Sequence, residues 1–328
     1  MVVERSVRGA EKEEGPCSNL LHHPPPTLFW FPAMESTQDE ILHDFHPILR
    51  VYKDGRVHKM TTTPIVPPSD DPQTTVRSKD VVVSADPKIA ARLYLPRTTN
   101  TKLPLLIYIH GGAFAIESAF STLYHNHLNS LTAAANIAAV SIEYRLAPEH
   151  PIPACYDDCW ETLKWIANTP DPWIRNHADL SRVFLAGDSA GANIAHNIMV
   201  QFSENGIGSG LKIVGIALIH PFFSFDEEDK LWKYLCPGTN GLNDPRMNPA
   251  ADPGLMAKMV CEKVVVCTAG KDHLRDRGWS YYEALKKSGW GGQLQIMETE
   301  DEDHCFHLFN PNSEKSHALV SFLSSLFN

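Results

Sequence analysis

No apolar run in this chain is long enough to span a bilayer. Its start also lacks the positive charge and apolar centre of a secretory signal. Basic residues are scarce: 29 Lys and Arg stand against 39 Asp and Glu, a formal net charge of −10. With no basic run either, nucleic acid is not an expected partner. No internal repeat is visible. The seven cysteines (Cys17, Cys155, Cys159, Cys236, Cys261, Cys267 and Cys305) are odd in number and have no framework spacing. They read as buried or free thiols in a reducing compartment, so the expected location is cytoplasmic, with the nucleus also open. Sixteen histidines are scattered without zinc spacing, so no metal and no cofactor are expected.

What is present is enough apolar material for a large α/β core, 43% hydrophobic residues against 21% charged over 328 positions. Residues 1–33 differ from the rest, with a charged stretch, Pro24-Pro25-Pro26 and the short patch Leu28-Phe29-Trp30-Phe31. They read as a flexible extension ahead of a domain over 34–328, and Met34 is an alternative start. Leu49 to Val57 reads as a hairpin turning at Asp54-Gly55. Asp80–Val83 and Ala90–Leu95 read as antiparallel strands. Leu103–Ile109, Ile137–Ile142, Val183–Ala186, Val214–Ile219, Lys263–Cys267 and Gln293–Met297 read as buried strands, with helices between them. That alternation predicts a mostly parallel sheet flanked by helices. Phe222–Met256 is irregular and carries aromatics, which suits a lid or pocket wall. Glu314–Phe327 reads as a closing amphipathic helix.

The chain is organised around Val183-Phe-Leu-Ala-Gly-Asp-Ser-Ala-Gly191. An apolar strand runs into G-x-S-x-G and then into small helical residues, the pattern of a nucleophile elbow. Glycines at 187 and 191 allow the tight turn that lifts the Ser189 hydroxyl into the open. Such a serine needs a base, an acid that orients the base, and donors for the developing oxyanion. His110-Gly111-Gly112-Ala113-Phe114 follows a buried strand and resembles the HGGG loop of α/β-hydrolase lipases and esterases. It designates the amides of Gly111 and Gly112, with that of Ala190, as the oxyanion hole; Ala113 replaces a third glycine. Asp272 lies just past a strand end and is the candidate acid, with Asp276 the rival. His304 is the candidate base, with His307 the rival. The order Ser189, Asp272, His304 is the one α/β-hydrolases use. Asp157 and Asp158 open a helix, where a structural role suits them better than a catalytic one.

Five segments together resemble the plant carboxylesterases of the hormone-sensitive-lipase group. They are His110–Phe114, Glu143-Tyr-Arg-Leu-Ala-Pro-Glu-His150, Gly187–Gly191, Lys271-Asp-His-Leu-Arg-Asp-Arg277 and Asp303-His304. Arg50–Val57 and Lys286-Lys-Ser-Gly-Trp290 are similar to that family as well, and the likeness runs from about Met34 to the C-terminus. It implies an α/β-hydrolase fold with an N-terminal cap (cap elements from about 34–60 and 222–256) and hydrolysis of short acyl esters of small molecules. It assigns Ser189 as nucleophile, Asp272 as acid and His304 as base. The family also holds a gibberellin receptor that has lost the triad histidine, and dehydratases or cyclising enzymes. His304 argues against the receptor. Ser189 argues for the esterase, since the dehydratase commonly has threonine there. Oligomeric state is left open.

Overall fold

The computed structural model describes residues 40–97, 101–168, 171–208 and 210–327. The expected extension over residues 1–33, the alternative start Met34 and the first cap residues fall outside that range. A small antiparallel sheet comes first, formed by β1 (Ile41–Phe45), β2 (Leu49–Tyr52) and β3 (Val57–Lys59). The β2–β3 turn lies at the expected place, and Gly55 there takes φ 88°. β1 is an addition to the expected hairpin.

The main sheet has eight strands. They are β4 (Val76–Ala85), β5 (Lys88–Pro96), β6 (Leu103–Ile109), β7 (Ala138–Glu143), β8 (Ala178–Asp188), β9 (Ile213–Ile219), β10 (Lys263–Ala269) and β11 (Gln293–Thr299). Their spatial order is β11-β10-β9-β8-β6-β7-β5-β4. From β7 across to β11 every pairing is parallel, and only β5 runs against its neighbours β4 and β7. β6 is buried at all seven positions and reads as a continuous apolar run, as a strand covered on both faces must.

Helices fill both faces: α1 (Thr122–Ala135), α2 (Ala154–Ala167), α3 (Pro172–His177), α4 (Ala190–Asn205), α5 (Lys230–Leu235), α6 (Pro253–Ala257), α7 (Arg275–Lys287), α8 (Phe306–Phe309) and α9 (Glu314–Phe327). Two apolar cores result. One includes Leu105, Ile107, Leu163, Ile194 and Val266; the other includes Leu106, Leu128, Phe184, Leu323 and Phe327 on the opposite face. Alternate residues of one strand therefore serve different cores, as the period of two requires. Asp171, Asp229 and Asp252 cap α3, α5 and α6 by accepting from backbone amides. The last two caps order the segment 222–256 that sequence left irregular. Among the described residues no helix is long and apolar enough to cross a membrane.

The tightest packing is between α4 and the ends of β6 and β8. A Cβ added at Gly191 would lie 2.0 Å from the Ile109 carbonyl oxygen, and one at Gly187 would lie 2.4 Å from the Gly191 carbonyl carbon. These atoms are backbone, which cannot swing away. Gly191→Ala is expected to destabilise the protein by about 3 kcal/mol or to prevent folding, because overpacking against rigid neighbours typically costs that much. Urea denaturation of wild type and variant measures it.

Candidate active site

Ser189 joins β8 to α4 with φ 53° and ψ −119°, a strained region for a residue bearing a side chain. The strain is held by backbone bonds on both sides: Ser189 N–H donates to Ile219 O at 2.8 Å, and Phe222 N–H donates to Ser189 O at 3.1 Å. Ser189 occupies the N-cap position, yet its hydroxyl makes no capping hydrogen bond. An ordinary N-cap serine would turn that oxygen to the helix amides, and Ser189 does not.

Asp272 follows β10, and His304 follows β11. Both lie beyond the carboxyl ends of parallel strands, where sites of open α/β sheets are built. His304 Nδ1 is 2.8 Å from Asp272 Oδ2, and the Leu274 amide donates to Asp272 Oδ1 at 2.8 Å. Burial pushes the Asp272 carboxyl up, but the hydrogen bond and charge of His304 and the Leu274 amide outweigh it and hold it below its ordinary value. Ser189 and His304 line one cavity of about 490 Å³, whose walls include Phe45, Ile48, Ile116, Phe222, Leu231 and Leu308.

The rival residues lie elsewhere. The Asp276 side chain is 89% exposed on the first turn of α7 and pairs with Arg275 at 2.9 Å. His307 is buried, its ring 4.9 Å from that of His127 and 5.8 Å from that of His220. Asp158 is 1% exposed and holds Arg145 at 2.7 Å, the structural role expected of a helix-opening acid.

The His-Gly-Gly loop turns through positive φ at three successive residues, Gly112 at 98°, Ala113 at 52° and Phe114 at 62°. Ala113 thus takes the left-handed conformation a glycine would have taken. Gly111, expected among the oxyanion donors, already donates its N–H to the Tyr124 hydroxyl at 2.8 Å. An amide committed to a neighbour cannot serve a substrate. The amides of Gly112, Ala113 and Ala190 have no hydrogen-bond partner among the described residues.

The loop is braced by the segment 143–150. The Tyr144 hydroxyl donates to His110 O at 2.8 Å, and Ala147 N–H donates to Phe114 O at 2.9 Å. Glu143 accepts from Ser118 Oγ at 2.8 Å and from the Ala119 amide at 2.7 Å. The His110 ring stacks on Tyr144 at 4.2 Å. Burial lowers the imidazole of His110 to about 4, so it stays neutral and its Nδ1–H can reach Gly111 O at 2.8 Å. Sequence periodicity does not single out Tyr124 or Tyr144, because an aromatic in a strand or helix reads as core. His220 lies one residue past the end of β9, beside the elbow.

His220, His304 and Cys305 place ligand atoms within 4.8 Å of one another. They do not fit an ion. His220 Nδ1 accepts the Cys305 amide at 2.8 Å, which puts the imidazole proton on Nε2 and leaves no free lone pair. Burial pushes the Cys305 thiol well up, away from the thiolate a metal requires.

Known proteins share this architecture. The alpha/beta hydrolase fold family model matches residues 106–308. Over 319 residues the chain is 43% identical to the 2-hydroxyisoflavanone dehydratase of Glycyrrhiza echinata, covering 88% of this chain and 97% of that protein. It is 41% identical to the probable carboxylesterase 2 of Arabidopsis thaliana over 313 residues, 90% and 99% of the two chains. Among solved structures, an esterase of Pyrobaculum calidifontis superposes with TM-score 0.64 at 25% identity, covering 81% of this chain and 85% of that one.

The lowered Asp272 carboxyl predicts a pH signature. A group depressed in the folded state stabilises above its unfolded value, about 3.9, and that contribution is lost as pH falls through the folded value. Asp272→Asn is therefore expected to melt lower than wild type at neutral pH. The gap should narrow below about pH 4, as thermal melts from pH 7 to pH 3 will show.

Proposed function

The chain belongs to the alpha/beta hydrolase fold family, alongside the plant carboxylesterases it resembles; on that basis we propose that it hydrolyses carboxylic esters of small molecules through an acyl-enzyme. The observation that carries the proposal is the placement of Ser189 and the Asp272-bound His304 on one apolar cavity. Asp272 fixes the imidazole's tautomer, with Nδ1–H toward the carboxylate and Nε2 free to take a proton. His304 takes the Ser189 proton as the hydroxyl attacks the ester carbonyl. The oxyanion forms against Gly112 and Ala190, with the Ala113 amide replacing that of Gly111. His304 then returns the proton to the departing alcohol. Water, activated by the same imidazole, releases the acid. The walls favour an apolar acyl or aryl group, and elements near 41–60 and 222–256 act as the cap.

A second reading is elimination of water from a bound hydroxylated substrate, favoured by the 43% identity to a protein named as a dehydratase. It uses the same cavity and base but needs no acyl-enzyme. Trapping by an organophosphonate with a mass shift on Ser189, followed by turnover of graded esters, separates the two.

Ser189→Ala is expected to abolish hydrolysis of p-nitrophenyl acetate and butyrate, with kcat falling by about 10⁵ to 10⁶, while circular dichroism stays unchanged. Asp272→Asn should lower kcat by about 10⁴ through the wrong tautomer, and Asp276→Asn by less than about twofold. Steady-state kinetics on the three variants tests the assignment, and the reverse ranking of the two aspartates would refute it.

A further inference from the structure

Asp188, the first of the two variable positions of the G-x-S-x-G stretch, is 1% exposed, and its carboxylate meets three donors. The Tyr108 hydroxyl donates to Oδ1 at 2.9 Å, the Tyr124 hydroxyl to Oδ2 at 2.8 Å and the Cys305 thiol to Oδ2 at 3.5 Å. Each contact matters for what lies next to it in the chain. Asp188 itself precedes Ser189. Tyr124 also accepts the Gly111 amide at 2.8 Å, and Gly111 precedes Gly112 of the oxyanion loop. Cys305 follows His304. One carboxylate is therefore tied to the residue adjoining the nucleophile, the hole and the base.

Its burial makes the arrangement expensive. No Lys or Arg pairs with Asp188 among the described residues. An uncompensated buried carboxylate is unfavourable, and three neutral donors offset only part of that cost. Burial pushes the carboxyl up, and the Tyr124 and Tyr108 hydroxyls and the charge of His304 draw it back without cancelling the rise. Three donors converging on two oxygens suit the ionised form, which only accepts. The cation that can form nearby is the His304 imidazolium, created as Ser189 attacks.

We infer that Asp188 is a positioning residue that aligns the elbow, the oxyanion loop and the histidine loop through its three donors, and that its charge favours the His304 imidazolium. The inference rests on the proposed Ser189–His304 chemistry. Nothing forms or breaks covalently at Asp188. The hydroxyl of Tyr124 has one proton, and giving it to Asp188 leaves its oxygen to accept from Gly111, so the link has a direction: Gly111 to Tyr124 to Asp188. A Cβ at Gly111 would lie 2.4 Å from Asp188 Oδ2, so the loop and the carboxylate are also in steric register. The charged and titratable groups around His304 include Asp272, bonded to its ring, the rings of His273 and His220 at 5.4 and 5.7 Å, the adjoining Cys305, and the charges of Asp188 and His307. Those facing Asp188 are Tyr108, Tyr124, Tyr144, Cys305 and His304. Of the carboxylates coupled to His304, only Asp272 bonds its ring; Asp188 acts through space.

The test is the pH profile of p-nitrophenyl butyrate hydrolysis by full-length wild type, Asp188→Asn and Tyr124→Phe. Asp188→Asn should lower kcat by about 10- to 100-fold with KM within about threefold, as a slightly misplaced site does. It should also move the acid limb of kcat/KM to lower pH, because a removed anion no longer favours the imidazolium that forms as Ser189 attacks. Tyr124→Phe should lower kcat by about tenfold and leave the acid limb in place, since the charge remains. Wild-type kcat in Asp188→Asn, or a fall in kcat with an unmoved acid limb, would overturn the inference. If Asp188→Asn does not fold, an unchanged kcat in Tyr124→Phe overturns it. Wild type that neither turns over the ester nor reacts with an organophosphonate would instead refute the serine-hydrolase reading.

Discussion

Everything in the site depends on a contact between two stretches of backbone. The first turn of α4 lies directly on the carboxyl end of β6, so close that no side chain fits at Gly191. That approach leaves the chain one way to pass from β8 into the helix. It must turn within a single residue, and the residue that turns is Ser189. The positive φ there is stored strain, and the amide and carbonyl of the same residue are bonded to Ile219 and Phe222, which keep it from relaxing. The hydroxyl is consequently displayed rather than folded back to cap its own helix.

A second consequence of the same contact is where the His-Gly-Gly loop can go. β6 delivers His110 beside the elbow, and the loop after it is forced through three left-handed residues. Such a path is stable only when held from outside. Tyr144, Ala147 and Glu143 do this from the segment after β7, and Tyr124 does it from α1. The 143–150 segment resembled a family motif without any chemistry of its own. Its work is to brace the loop that would carry the chemistry, and the Arg145–Asp158 pair fastens it to α2.

The cavity follows from what lies above the sheet. Phe45 and Ile48 come from the small first sheet and Leu231 from the 222–256 segment, so its walls are supplied by regions distant in sequence. Asn193 of α4 joins the two levels. Its side-chain amide donates to Phe222 O at 3.0 Å and Arg246 O at 2.8 Å, and its oxygen accepts from the Tyr156 hydroxyl at 2.6 Å. The elbow helix thus anchors the 222–256 segment at two points.

Much of this was legible from sequence. Buried parallel strands announce themselves as short apolar runs, and the closing helix over Glu314–Phe327 matches its amphipathic period. Ser189, Asp272 and His304 were open to nomination as candidates because a strand end, a turn and a chain order are local or one-dimensional signals. Strand length was less visible: β8 begins at Ala178, five residues before its apolar run, because Ala178 and Asp179 pair with Leu103 and Pro104 of β6 ahead of an exposed stretch. Sequence alone determined which residue types stand at the ends of which strands. Only the tertiary structure decided which amides remain unbonded, that Gly111 is claimed by Tyr124 and that Asp188 is shared among three segments. Those are distances between atoms far apart in the chain, and no local pattern encodes them.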